Sequence, residues 1–114
     1  MRRDEALLGD IVLAARRIGE HIAGLSHDAF LTDRKTQAAV EREITILGEA
    51  ANDLSDDLRA AHPEVPWQRL VRLRHFYIHA YEMVDANQVW ATACRSVPEF
   101  LKAVEPLLPK APPD

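Results

Sequence analysis

Val40-Glu41-Arg42-Glu43-Ile44-Thr45-Ile46-Leu47-Gly48-Glu49-Ala50-Ala51-Asn52-Asp53-Leu54 is the stretch whose reading decides the fold. Val40, Ile44, Leu47, Ala51 and Leu54 recur at alternating spacings of four and three, which places them in one narrow stripe of a helix packed against its neighbours. The stripe predicts a helix from about Arg34 to Leu54. Gly48, in its middle, costs about 1 kcal/mol relative to alanine. The physical return expected for that cost is close approach by the backbone of another helix. Arg42 and Glu49 are seven residues apart and share the polar side.

Toward the N-terminus, Leu7, Ile11, Ala15, Ile18 and Ile22 form the apolar face of a first helix expected from Asp4 to Ala23. Asp4 is expected to cap its start, and Gly24 to take the left-handed conformation past its end. Residues Ser26 to Asp33 read as a loop pinned by Phe30 and Leu31. Toward the C-terminus, Ser55-Asp56-Asp57 opens a short helix that Pro63 ends. Val65-Pro66-Trp67 opens a further helix lasting to Tyr81 or Glu82. Asp85, with Gln88 three residues on, predicts a capping box for the last helix. Its buried face would be Val89, Trp90, Ala93, Val97, Leu101, Val104 and Leu108, with a kink at Pro98. Cys94 is expected in the core, and Trp67, Trp90 and Phe76 as core or dimer contacts. The fold class is therefore all-α, an up-down bundle of four to five helices. Residues 1–110 form one domain, followed by a frayed tail, Ala111-Pro112-Pro113-Asp114.

The 114 residues suffice for one modest core, which dimerisation would enlarge. No apolar run is long enough to span a membrane. Met1-Arg2-Arg3-Asp4-Glu5 is not followed by the apolar run of a signal peptide. A single cysteine excludes an internal disulfide, and the expected compartment is the cytoplasm. The formal net charge of -4 argues against a broad grip on nucleic acid. Contact with RNA would have to be confined to a local basic patch.

Such a patch is present in Arg69-Leu70-Val71-Arg72-Leu73-Arg74-His75-Phe76-Tyr77-Ile78-His79-Ala80-Tyr81. On a helical wheel Leu70, Leu73, Tyr77, Ala80 and Tyr81 share one arc, and Gln68, Arg72, His75, His79 and Glu82 the opposite one. Arg74 lies beside the apolar arc, about 140° from His79. A guanidinium is a fixed, bidentate partner for phosphate. A neutral imidazole near pH 7 is a usable general base, and its conjugate acid a usable general acid. Together they suffice to activate the 2′-hydroxyl of RNA and stabilise the phosphorane without a protein nucleophile. His75 and His79 also have the four-residue spacing of a metal pair, but no ligand pattern completes a site, and neither metal nor cofactor is expected. Simpler roles exist for each: a surface histidine, an Arg74–Glu49 ion pair, and a packed Tyr81 with a wet hydroxyl.

Arg74-His75-Phe76-Tyr77-Ile78-His79-Ala80-Tyr81 resembles the Arg-x4-His-x-Tyr signature of HEPN domains of the HepT-like branch. Gly48-Glu49-Ala50-Ala51, Val65-Pro66-Trp67 and the segment from Asp85 to Trp90 resemble other segments of that family, in the same order, and the similarity runs from about Leu7 to Leu108. The resemblance implies a homodimer whose two motif helices line a shared cleft. It implies metal-independent RNA cleavage by Arg74 and His79, and His75 fits the polar residue that follows the motif Arg; His75, Glu49 and Arg72 are read as supporting residues. It also implies a toxin paired with a nucleotidyltransferase antitoxin that transfers AMP to Tyr81. Because Arg74 and His79 diverge on one helix, the expected site is a composite of two protomers. The alternative from another class is a non-catalytic module that binds nucleotide or docks a nucleotidyltransferase.

Overall fold

The computed structural model describes residues 2–79 and 83–109, with Arg2 and His79 described by their backbone only, and over these the chain is helical with no strand. Helix α1, Arg2–Ile22, buries Leu8, Ile11, Val12, Ala15 and Ile18. Gly24 follows it at φ 78°, the left-handed conformation expected there. Asp4 does not cap α1. The helix begins two residues earlier, and Asp4 turns across the bundle from its first turn. Its carboxylate accepts from the Ser55 N–H at 2.9 Å and the Ser55 Oγ–H at 2.6 Å. Ser55 Oγ in turn accepts from the Leu58 N–H at 3.1 Å, capping α4, Asp56–Ala61.

The segment expected as a loop contains a short helix, α2, His27–Leu31, whose cap is Ser26 Oγ accepting from the Ala29 N–H at 3.1 Å. Five residues are too few to show a helical stripe, so periodicity missed it. Phe30 is buried, its ring 5.1 Å from that of Trp90. Asp33 then caps α3, Arg34–Asp53, accepting from the Thr36 N–H at 3.0 Å and the Thr36 Oγ–H at 2.6 Å.

Helix α3 is the axis of the bundle, with α1 packed on it antiparallel and α5, Trp67–His79, packed on another side. The whole stripe from Val40 to Leu54 is buried. The return expected for Gly48 is present. A Cβ built there would collide with Arg74 Cβ and come within 2.9 Å of the Leu70 carbonyl oxygen. Leu70 and Arg74 therefore cross α3 at Gly48, while Tyr77 lies within electrostatic reach of Glu41, so α5 runs antiparallel to α3. Trp67 anchors the first turn of α5, its Nε1–H donating to the His62 carbonyl at 2.9 Å. The expected end of this helix at Tyr81 or Glu82 lies outside the described residues.

Asp85 caps α6, Ala86–Ala91, through the Asn87 N–H at 2.9 Å. The Gln88 side chain is exposed and forms no reciprocal bond among the described residues, so half of the expected capping box is made. The expected kink at Pro98 takes the form of a wide π-helical turn, Thr92–Ser96, before α7, Val97–Val104, and a 3₁₀ turn, Glu105–Leu107. The Val97 N–H reaches back five residues to Thr92, so a wider ladder leads into the proline, which has no N–H to donate. Cys94 is exposed rather than in the core, and Phe100 is buried. A wheel drawn at 100° per residue loses its phase over a wide turn, which explains both departures. Among the described residues no helix is long and apolar enough to cross a membrane.

Candidate functional site

Helix α5 carries three of the chain's 14 Lys and Arg, two of its five His, and none of its 18 acidic residues. The rest of the chain is therefore more acidic than the net charge of -4 suggests, and the cations of α5 are its local exception. A helix with this charge pattern attracts polyanions even on an acidic protein.

The position of Arg74 follows from the crossing at Gly48. With no side chain on α3 at that point, the Cα of Arg74 sits 3.2 Å from the place a Cβ would take. The stem of Arg74 is held between the two helices, and its Nε–H is buried with no hydrogen-bond partner among the described residues. Among the described residues the ion pairs are Arg16–Glu105, Arg59–Asp56 and His62–Glu64. Arg74 enters none of them, so the Arg74–Glu49 pair considered from sequence is not formed. Glu49 is half-buried on α3. Glu43 Oε2 is a second buried polar atom without a partner among the described residues, on a residue only 8 % exposed. Sequence reasoning passed over Glu43, although an acid on the wheel between Leu47 and Ala50 is the signal that could have found it.

Arg72 and His75 are exposed on the outer face of α5. The backbone of His79 belongs to the last turn of that helix, and Tyr81 lies outside the described residues. The structure thus puts Arg74 on the α3 side and Arg72 and His75 on the solvent side, as the wheel requires. Among the described residues Tyr77 is the aromatic hydroxyl within the bundle. Burial pushes its phenol up, Thr92 hydrogen-bonds it, and the nearby Glu41 carboxylate adds to the upward shift. Glu41 is itself raised by burial.

Two adjoining grooves separate α5 from α6 and the π turn that follows it. One, of about 350 Å³, is lined by Arg69, Arg72, Leu73, Phe76 and Ser96. The other, of about 340 Å³, is lined by Leu73, Phe76, Tyr77, Gln88, Ala91 and Thr92. Phe76 is shared by both and is 37 % exposed, so of the two roles expected for it, core or dimer contact, it does not take the first. Trp67 is a core residue, and Trp90 is half-buried against Phe30.

An all-α bundle of this helix order, with one acid-free helix that carries three Arg and two His, is of the HEPN class. The family described as "Ribonuclease HepT-like" matches residues 11–107, and the chain belongs to that family. A Thermococcus cleftensis protein named "Probable ribonuclease HepT" is 37% identical over 93% of this chain and 96% of its own length. A Methanocaldococcus jannaschii protein provisionally named an RNase is 34% identical over 90% of this chain and 85% of its own. A Caldanaerobacter subterraneus protein, also provisionally named an RNase, is 30% identical over 96% of this chain and 98% of its own. No solved structure matches the chain.

Proposed function

We propose that the protein is a toxin endoribonuclease that cuts RNA without a metal, Arg74 binding and polarising the scissile phosphate and His79 moving the proton. The observation that carries this reading is the buried Nε–H of Arg74, which has no partner among the described residues. A buried donor left unsatisfied costs about 1–3 kcal/mol, a cost that an incoming phosphate oxygen removes. In the reaction the 2′-oxygen bonds to phosphorus and the bond from phosphorus to the 5′-oxygen breaks. An imidazole takes the 2′ proton, and an imidazolium gives a proton to the departing 5′-oxygen. The products are a 2′,3′-cyclic phosphate and a 5′-hydroxyl.

Arg74 faces α3 and the supporting Arg72 and His75 face solvent, so one helix alone does not surround a phosphate. A symmetric homodimer that places two copies of α5 along one cleft supplies both kinds of edge. Glu49, half-buried beside the crossing, orients the site. The protein partner in this reading is a nucleotidyltransferase antitoxin. It transfers AMP from ATP to the Tyr81 hydroxyl, with pyrophosphate leaving. The added negative charge repels RNA and masks Arg74.

The test is RNA cleavage in the presence of EDTA. Activity should fall about 10²- to 10⁴-fold in Arg74→Ala and His79→Ala. Absence of cleavage by a well-folded wild-type dimer returns the protein to the second reading, a non-catalytic module that binds nucleotide or docks the nucleotidyltransferase. The net charge of -4 is the observation in favour of that reading. After co-expression with the nucleotidyltransferase, intact mass should rise by one AMP, and the Tyr81→Phe variant should not gain it.

A further inference from the structure

We propose that the groove between α5 and the α6–π-turn segment holds one unpaired base of single-stranded RNA, stacked on Phe76, with the adjoining phosphates on Arg69 and Arg72. The inference rests on the nuclease reading for its substrate class and adds the place where that substrate is held. Phe76 is 37 % exposed, as is Ile78 two residues on, but of the two only Phe76 lines the grooves, while Leu70 and Tyr77 beside it are buried. Its ring meets that of Tyr77 edge-on, at 5.7 Å and 81°, a contact that fixes the plane of Phe76.

The cations are placed for the same ligand. Arg69, Arg72 and Phe76 fall at i, i+3 and i+7, one stripe of the helix. The Arg69 guanidinium lies 5.3 Å from the centre of the Phe100 ring, a cation–π contact that holds it at the wall of the groove. Neither Arg69 nor Arg72 enters an ion pair among the described residues. Ser96, Thr92 and Gln88, on the opposite walls, offer two hydroxyls and an amide to a base edge. Each groove lies near the lower limit of small-ligand clefts, roughly 300 Å³, which suits a nucleotide and not a folded helix. A duplex keeps its base faces stacked away from any such platform, so the occupant is single-stranded.

Binding can be read apart from cleavage with a short, labelled 2′-O-methyl oligouridylate, whose blocked 2′-oxygen cannot attack. Wild-type protein at low salt is expected to bind it by fluorescence anisotropy. Phe76→Ala should weaken binding roughly 5- to 100-fold, and Phe76→Trp should retain it, with added indole fluorescence that the oligonucleotide quenches. Arg69→Gln and Arg72→Gln should each weaken binding and lower the salt slope by about one unit. The same strand in duplex form should bind without dependence on Phe76. Unchanged binding by folded Phe76→Ala overturns the inference. So does lost binding accompanied by dissociation to monomers in sedimentation, which would make Phe76 a contact between copies. Protein that binds in this way but cuts nothing leaves the inference standing while the nuclease reading falls. Protein that cuts RNA but binds independently of Phe76 does the reverse.

Discussion

At Gly48 the backbones of α3 and α5 meet so closely that an added methyl group would strike Arg74 Cβ and the Leu70 carbonyl. Both neighbours are main chain or the first atom of a side chain, so neither yields by a change of rotamer. Overpacking of this kind costs about 1–3 kcal/mol, of which alanine's better helix propensity returns about 1 kcal/mol. Gly48→Ala is therefore expected to lower stability by up to about 2 kcal/mol, read as a lower urea midpoint. RNA cleavage should fall further than the folded fraction explains, because Arg74 moves with the crossing. A variant as stable as the wild type would show that the helices part at no cost. The need for glycine here was legible in the sequence, because a helix that tolerates glycine mid-stripe implies an intimate neighbour. The partner at the crossing was not legible, because no local signal tells which residue lies opposite.

Among the elements, α1 and α4 are joined by a latch in which Asp4 accepts two bonds from Ser55. These bonds, the side-chain bond first, hold the Asp4 carboxyl below its usual value of 3.8. The latch therefore adds stability at every pH above the unfolded carboxylate range. That stability is lost as pH falls below about 4 and through the lower native value. Asp4→Asn should lower the urea midpoint at neutral pH and flatten its decline between about pH 4 and pH 2. Asp33, depressed in the same direction by Thr36, should leave part of that decline in place. A variant whose acid limb matches the wild type would remove the latch from the account. Long elements were legible for the reason this one was misread. Helices α1 and α3 repeat their apolar positions over five turns, whereas Asp4 was assigned by a local capping rule and its partner lies 51 residues away. The π turn was hidden likewise, since Pro98 announces an interruption but not its width.

The whole molecule measures 42 × 36 × 20 Å, with a radius of gyration of 14.5 Å against about 13 Å for a rounder chain of this length. Its thin dimension is about two helix diameters. So flat a shape leaves each helix with much surface and α5 open on its outer face. If two such slabs share one catalytic cleft, activity belongs to the pair. Specific activity should then fall on dilution through the dimer dissociation range, together with the dimer signal in sedimentation. Activity per chain that stays constant when only monomers remain would refute the composite site. The contact at Gly48 has a mechanical consequence for such an assembly. Arg74 stands seven residues from Trp67 and five from His79, so the touching point divides α5 into arms of about 10 and 8 Å. Two rods meeting at a smooth spot have a fulcrum there and no interlocking teeth. A tilt of the Trp67 arm would swing the His79 arm in the opposite sense while Arg74, at the pivot, stays where it is.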